Sequence, residues 1–273
     1  MKFNTVLKYV KSVLDGFWDL LYPPKCVFCA ALMEVRRDKI YICESCRKTV
    51  RFCANLHCCA VCGAPMVSSE YKYCASCYNK RKNGFPIYFE RIVGVFEYND
   101  DSKQGILALK NAQRLDAYDT YSVLLHGMLL SKLGGVNFDM IVTVPPSRQR
   151  MNGIGFDQCV RLAEKLEKLT GVKYVKGCMK RNRETLPQKS LNLGQRMTSI
   201  SGAFSLRVPG DTVRNKTVLV IDDIATTGST VNECARVLKE AGARAVYGGV
   251  IAITPAPSAV RTGSDSNRYA AVK

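Results

Sequence analysis

The chain has 273 residues, of which 47% are hydrophobic and 9% aromatic, so it is long enough for one large domain or two smaller ones with real cores. The formal net charge of +17 favours anionic partners, among them nucleotides, sugar phosphates, nucleic acid and membrane surfaces, without choosing between them. No apolar run reaches the length of a transmembrane helix, so we expect no membrane span.

An apolar pattern at helical spacing occupies residues 1–24. Its members are Leu7, Val10, Leu14, Phe17, Trp18 and Leu21. Charged residues interrupt the pattern too often for the hydrophobic region of a secretory signal, and no small-residue cleavage site follows. The pattern predicts an amphipathic helix that packs on the rest of this protein, with contact to a membrane surface as the alternative. We expect the protein to be cytoplasmic.

A cysteine-rich region follows, and ten of the thirteen cysteines lie between residues 26 and 77. Eight of them form Cys-x-x-Cys pairs, each of which presents two thiolates from one tight turn to a tetrahedral ion. Two such turns complete a four-thiolate site, so region 25–85 is predicted to bind up to two structural zinc ions. The eight predicted ligands are Cys26, Cys29, Cys43, Cys46, Cys59, Cys62, Cys74 and Cys77.

Several alternatives remain for this region. A disulfide framework is the rival interpretation, but it suits a secreted protein, and no signal peptide precedes the cysteines. The four pairs are able to combine in sequential order or in a cross-braced order. Cys53, His57 and Cys58 lie beside the third pair, either as substitute ligands or as bystanders. A polar, turn-prone stretch, NKRKNGFP, predicts a domain boundary at about residue 85.

Strand and helix patterns alternate in the second domain, residues 86–254. Strand patterns occupy 87–98, 139–145, 216–223 and 244–254, and helical patterns occupy 101–133, 156–171 and 229–243, with Gly171 as the stop of the middle one. Such alternation predicts an α/β fold with a parallel sheet covered on both faces, and ligands are expected at the carboxyl ends of its strands. The final residues, 255–273, are predicted to be disordered.

The stretch VLVIDDIATTGST, residues 218–230, carries the strongest functional signal. A strand ends in Asp222 and Asp223, and a loop of small and hydroxylated residues leads into a helix, whose N-terminus is suited to a phosphate. Carboxylates repel a phosphate but accept hydrogen bonds from a vicinal diol, so the pattern predicts a ribose 5-phosphate. A Walker loop is excluded because residues 217–238 contain no lysine, and a response-regulator receiver because too few residues remain.

The same stretch resembles the phosphoribosyl-pyrophosphate signature of type I phosphoribosyltransferases. Together with the four cysteine pairs, it makes the chain similar to the ComF family of double-zinc-finger, competence-type proteins. Two further segments support the resemblance, VPPSRQRMNGIGFDQ at 144–158 and MKRNRETLPQ at 179–188, as do Arg196, Ala203 and Phe204. The chain departs from the family at Asp157 and Ser199, where asparagine is usual, and near Gln113, where a glycine is usual.

The resemblance implies specific roles. Asp222 and Asp223 are the candidate catalytic residues and would hold the ribose hydroxyls. The pyrophosphate would contact Ser147 and Arg148, with Arg150 as the alternative to Arg148, and Mg²⁺ would bridge pyrophosphate and diol. The 5-phosphate would lie on a cradle formed by Ala225, Thr226, Thr227, Gly228, Ser229 and Thr230.

Residues 179–190, part of the basic segment 161–196, are the expected flexible loop. Lys180 and Arg181, with Arg183 and Gln188, would close on the pyrophosphate, or else form a solvated basic face. Two functional classes follow. The first is a phosphoribosyltransferase with an unidentified acceptor; the second is an accessory or sensor protein that binds single-stranded DNA or a competence helicase or DNA-processing partner.

Overall fold

The structure is a computed structural model, and it describes residues 23–111, 114–147, 151, 156–183 and 200–256. The N-terminal helix predicted within 1–24 and nearly all of the predicted tail lie outside the described residues. Arg148, Arg150 and Gln188 also lie outside them. The predictions that fall on these residues therefore remain predictions.

A four-stranded sheet with all neighbours parallel forms the centre of the fold, in the order β1-β6-β5-β2. A separate antiparallel pair, β3 and β4, lies beside it. The six strands are β1 (Arg91–Glu97), β2 (Met140–Thr143), β3 (Met179–Arg181), β4 (Phe204–Leu206), β5 (Thr217–Ala225) and β6 (Ala245–Ile253). The parallel sheet confirms the predicted α/β class.

Among the described residues, six α-helices accompany the strands: α1 (Glu44–Thr49), α2 (Ala75–Lys82), α3 (Asp100–Ala108), α4 (Leu115–Leu133), α5 (Gln158–Thr170) and α6 (Ser229–Glu240). The side chain of Asp157 caps α5 by accepting a hydrogen bond from the Cys159 N–H. Gly171 ends α5 with φ at 73°, which confirms the predicted stop. Within the described ranges, no helix is both long and apolar enough to cross a bilayer.

Alternating residues of the strands supply two cores, one on each face of the sheet. On one face, Ile141, Leu219 and Ile221 pack with α4, α5 and the first half of the cysteine region. On the other face, Val218 and Val220 pack with α6, the β3–β4 pair and the second half of that region. The cysteine region thus shares its core with the sheet on both faces.

The β3–β4 pair corrects one expectation. Residues Met179–Arg181 were predicted within a flexible loop, but they form a strand that pairs with Phe204–Leu206. Met179 and Phe204 are buried, and the apolar contact they make with the second core fixes the pair against α6. The rest of the predicted loop, 184–190, lies outside the described residues.

Candidate functional site

The first four cysteine side chains converge on one point. Cys26 and Cys29 lie on a turn, whereas Cys43 caps α1 and Cys46 lies within its first turn. The four sulfur atoms lie within 4.8 Å of one another, and the sulfurs of Cys29 and Cys43 are 3.6 Å apart. The Cys46 backbone N–H donates to the Cys43 sulfur and lowers the pKa of that thiol to about 7.

The second four cysteines repeat this local plan. Cys59 and Cys62 lie on a turn that Gly63 closes with φ at 71°, and Cys74 precedes α2, whose first turn carries Cys77. These sulfur atoms also lie within 4.8 Å of one another, and those of Cys62 and Cys74 are 3.7 Å apart. The Cys74 N–H points to the Cys59 sulfur at 3.3 Å.

Both clusters fit structural zinc. A tetrahedral ion with Zn–S bonds of about 2.3 Å separates its thiolates by about 3.8 Å, close to the measured sulfur separations. The pairs combine in sequential order, so the cross-braced alternative is wrong. None of the thirteen cysteines forms a disulfide, which removes the rival framework. Four thiolates leave no open position on the ion, so the metal would stabilise the fold and not bind substrate.

The three neighbouring candidates lie outside both clusters. The Cys58 sulfur donates to the carbonyl oxygens of Cys53 and Leu56, and His57 Nε2 lies 2.8 Å from the Tyr71 carbonyl oxygen. Because the second cluster is complete without them, these side chains are bystanders in this arrangement.

Asp222 and Asp223 occupy the carboxyl end of β5. The strand continues to Ala225, two residues beyond its predicted end, with Asp222 paired to Val250 and Ala225 to Ile253 of β6. Both acids are buried, at 7% and 4% exposure. Their burial at the end of a central strand places two carboxylates inside the crevice where parallel sheets bind ligands.

Two neighbouring helices supply the partners of these acids. Gln158 Nε2 donates to Asp223 Oδ2 at 2.7 Å, and Cys159 Sγ lies 4.0 Å from Asp222 Oδ1. On α6, Cys234 is fully buried, and this burial, followed by the charge of Asp222, raises the pKa of its thiol. The acids therefore lie beside the N-terminal turn of α5, where the helix dipole favours negative charge, and Asp222 lies near the middle of α6.

The predicted phosphate cradle is a short turn between β5 and α6. Ala225 belongs to the strand, so the turn consists of Thr226, Thr227 and Gly228, and α6 begins at Ser229. Gly228 has φ at 69°, a conformation that glycine adopts without strain. The hydroxyls of Thr227 and Ser229 are 2.8 Å apart, and Thr230 is half-buried in the first turn of α6. The backbone N–H groups of such a first turn are suited to an anion.

The residues predicted to contact pyrophosphate lie near the loop after β2. Ser147 belongs to this loop, and Arg148 lies outside the described residues. Arg181 on β3 donates to the Pro145 carbonyl oxygen at 3.2 Å and stacks on Phe204, with 4.7 Å to the ring centroid. Lys180 is exposed on the same strand. The structure therefore brings Arg181 to the predicted pyrophosphate loop from a strand.

Sequence reasoning assigned no role to Gln158 and Cys159, although both contact the acid pair. The one sequence signal was the segment ending GFDQ, which supported the family resemblance and which ends at Gln158, directly before Cys159. Their contacts with β5 join positions more than sixty residues apart, so local patterns do not predict them.

Comparison with known proteins adds two family matches, in the same order as the two halves of the structure. A double zinc ribbon domain matches residues 17–78, and a phosphoribosyl transferase domain matches residues 160–266. Among solved structures, an adenine phosphoribosyltransferase from Thermoanaerobacter pseudethanolicus is 17% identical over 55% of this chain and 82% of its own, with a TM-score of 0.32, a likeness too low to support an argument.

Curated relatives align over more of the chain. DNA utilization protein YhgH of Escherichia coli K12 is 30% identical over 75% of this chain and 87% of its own length. The protein of the same name from Salmonella typhimurium LT2 is 30% identical over 83% and 96%. Competence protein F of Haemophilus influenzae is 31% identical over 30% and 35%. The YhgH relatives are this similar over most of the chain, and a phosphoribosyltransferase domain follows a double zinc ribbon in the sequence. The chain therefore belongs to the ComF family.

Proposed function

We propose that this protein binds phosphoribosyl pyrophosphate at the carboxyl edge of its sheet and acts in the handling of DNA. The observation that carries the proposal is the pair of buried carboxylates, Asp222 and Asp223, directly followed by the Gly228 turn and the N-terminus of α6. A ribose 5-phosphate carries a diol and a phosphate at about the separation that such a pair and turn require. The DNA role comes from the names of the curated relatives.

Residues of different charge would contact different parts of the ligand. The acid pair accepts hydrogen bonds from the two ribose hydroxyls. The diol is neutral, so the carboxylates do not repel it. The turn from Thr226 to Thr230 donates backbone N–H and hydroxyl groups to the 5-phosphate. Ser147 and Arg181 approach from the loop after β2 and from β3, so they would contact the pyrophosphate.

The oxygen atoms at this edge also fit a magnesium ion. Asp222 and Asp223 are buried and offer carboxylate oxygens that lie within 4.8 Å of one another. Magnesium prefers such hard oxygen ligands and keeps several waters or phosphate oxygens as the remainder. When bound, it would neutralise the charge that develops on a departing pyrophosphate.

Calorimetric titration of phosphoribosyl pyrophosphate with Mg²⁺ tests the site. We expect Asp222→Asn with Asp223→Asn to weaken binding about a hundredfold or more, because each hydrogen bond to a charged acceptor is worth about 1.5–3 kcal/mol. Asp100→Asn with Asp101→Asn is the matched control, since it removes another adjacent acid pair, exposed at the start of α3. Equal affinity of the wild type and the first variant would reject the assignment.

A second measurement tests transfer itself. The purified protein is incubated with labelled phosphoribosyl pyrophosphate and Mg²⁺, with and without single-stranded DNA, and pyrophosphate release is followed. Release that depends on Asp222 and Asp223 supports a transferase. Tight binding without release, under both conditions, supports a sensor that has kept the ligand site.

A second candidate function, binding of single-stranded DNA, is favoured by a groove beside α5. The groove has a volume of about 900 Å³ and lies between α5, β3 and the loop after β2. Two acids, Asp157 and Glu164, line it together with eight basic residues: Arg161, Lys165, Lys168, Lys176, Lys180, Arg181, Arg183 and Arg207. This excess of positive charge in a concave surface suits a polyanionic strand.

The groove favours contacts to phosphates over stacking of bases. Its aromatic side chains include Tyr118 and Tyr174, which are only 1% and 7% exposed and so offer little ring surface. Phe156 already lies beneath the guanidinium of Arg161, at 5.2 Å. We therefore expect binding that depends on salt and not on sequence.

Charge reversal tests the groove. Lys168 and Arg207 are both exposed on its lining, and we expect Lys168→Glu with Arg207→Glu to weaken binding of a fluorescent oligonucleotide at least tenfold. The slope of log affinity against log salt should fall by about 0.7 for each phosphate that the variant no longer neutralises. Lys103→Glu with Lys110→Glu changes the net charge equally outside the groove lining and should leave binding within about threefold. An equal weakening of binding in both variants would reject the groove.

A further inference from the structure

A contact between α5 and β5 holds one of the two acids in a fixed orientation. Gln158, the first residue of α5, is 1% exposed and donates from Nε2 to Asp223 Oδ2 at 2.7 Å. The other carboxylate oxygen, Oδ1, accepts the backbone N–H of Ile224 at 2.8 Å. With one donor on each oxygen, the plane of the Asp223 carboxylate is set by two different elements.

The amide of Gln158 has one sensible orientation. If its oxygen faced Asp223 Oδ2, two acceptors would meet at hydrogen-bond distance, so the nitrogen must face the carboxylate. The oxygen, Oε1, is then buried without a hydrogen-bond partner among the described residues. A buried acceptor without a partner is costly, and such an atom at a ligand crevice indicates that a donor arrives with the ligand.

We propose that Gln158 is a positioning residue of the ribose site, which orients Asp223 through Nε2 and accepts a hydrogen bond from the bound ligand through Oε1. The proposal rests on the proposed function, because it concerns the same site. It assigns to the first residue of α5 a role in ligand binding, and it explains why a polar amide is kept in an otherwise apolar contact between α5 and the sheet.

The titratable and charged side chains around this pair, within the described residues, come from four elements. Asp222 belongs to β5, Cys159 follows Gln158 on α5, and Cys234 lies on α6 with Arg181 of β3 nearby. A carboxylate introduced at position 158 would therefore join two acids already in the crevice.

The isosteric variant Gln158→Glu makes the interaction with Asp223 sensitive to pH. Its carboxylate would lie within hydrogen-bond distance of Asp223, and two carboxylates this close hold a proton between them until the pH is high enough to remove it. At pH 6 the shared proton replaces the missing amide donor, and we expect affinity for phosphoribosyl pyrophosphate with Mg²⁺ within about threefold of wild type. At pH 8.5 both groups are charged, and we expect affinity to fall at least tenfold.

Three further variants separate positioning from mere packing. Gln158→Leu keeps the volume without donor or acceptor and should bind about tenfold more weakly at every pH. Gln158→Glu combined with Asp223→Asn restores a donor–acceptor pair with the roles exchanged, because the new amide at 223 donates to the new carboxylate at 158. The affinity of this double variant, divided by that of Asp223→Asn alone, should therefore not depend on pH. Gln104→Glu, an exposed site on α3, is the matched control and should behave as wild type.

The thermal midpoint without ligand gives an independent readout. A shared proton bound more tightly in the folded protein stabilises Gln158→Glu at low pH, and this stabilisation disappears as the pH rises. If the wild type binds the ligand and the Leu and Glu variants match it at every pH, the inference is overturned and the proposed function stands. If the wild type does not bind phosphoribosyl pyrophosphate, both the inference about Gln158 and the proposed function are rejected, and the wild-type titration alone shows this.

Discussion

The two cysteine clusters share one local plan but differ in what they pack against. In the first, Cys29 is exposed and Cys43 and Cys46 are half-buried, whereas three of the four ligands of the second are buried. Around the first cluster, Phe28 packs edge-on against Phe96, and the Tyr41 N–H bonds the hydroxyl of Thr120 on α4. The first cluster is therefore attached to the face of the sheet that α4 and α5 cover.

The second cluster is continuous with the strand behind the phosphate turn. The Ile92 N–H donates to the Val61 carbonyl oxygen at 2.9 Å, which joins the cluster to β1. A Cβ placed on Gly63 would lie 2.4 Å from the Ile92 carbonyl oxygen, so the turn and the strand touch. On its other side, Ile92 reaches Gly228, where a Cβ would lie 3.0 Å from its Cδ1.

This difference identifies which metal site is coupled to the ligand site. A chain of direct contacts runs from the second cluster through Ile92, which belongs to the same core as that cluster, to Gly228. The first cluster belongs to the opposite core. Packed cores transmit a displacement over such short distances, so loss of the second zinc should disturb the phosphate turn, and loss of the first should not.

The largest expected effect follows from breaking the second cluster. We expect Cys77→Ser to bind one zinc per chain in place of two and to lose cooperative unfolding. The reason is that structural zinc contributes on the order of 10 kcal/mol in small modules, which matches the whole stability of a typical domain. Elemental analysis and thermal unfolding monitored by circular dichroism measure both quantities. A Cys77→Ser protein with two zinc ions and an unchanged midpoint would contradict the assigned ligand set.

The same substitution in the first cluster should be milder. We expect Cys29→Ser to lose one zinc as well, but to keep a folded sheet and an affinity for phosphoribosyl pyrophosphate within about threefold of wild type, because this ligand is exposed and its cluster packs on α4. Zinc content and calorimetric titration measure the two properties separately. If this variant loses ligand binding as fully as Cys77→Ser, the two clusters are equally coupled to the crevice and the comparison fails.

How far the sequence predicts this arrangement depends on whether residues are close along the chain. The eight thiolates and the Asp222–Thr230 stretch were found because each motif is local, and the Gly171 stop follows from one residue. The strand end was misplaced because two acids after an apolar run resemble the start of a loop, yet the ladder with β6 continues through them to Ala225. Contacts such as Ile92 with Gly228, and the groove beside α5, depend on packing between distant segments, which a single sequence does not encode locally.

Gly228 provides a smaller test of the link between β1 and the phosphate turn. Valine there must adopt φ near 69° and meets Ile92, so we expect stability to fall by about 2 kcal/mol or more, a midpoint lower by several degrees and at least tenfold weaker ligand binding. Gly171→Val is the matched control, since φ there is 73° but no atom lies within 4 Å of the added Cβ. The control should lose stability through backbone strain alone and keep its affinity. Equal affinities of the two variants would show that Ile92 does not hold the phosphate turn in place.

The smallest expected effect concerns Cys58, which neighbours the Cys59 ligand without belonging to the cluster. We expect Cys58→Ala to keep two zinc ions per chain and to lose less than about 1 kcal/mol, because its half-buried sulfur makes only weak bonds, at 3.7 and 3.6 Å, to the Cys53 and Leu56 carbonyl oxygens. Cys59→Ala, one residue away, should lose a zinc ion and the fold around it. Elemental analysis of the two variants side by side decides the matter: a zinc ion missing from Cys58→Ala would mean that this thiol is a ligand, and the second cluster would then be built differently from the first.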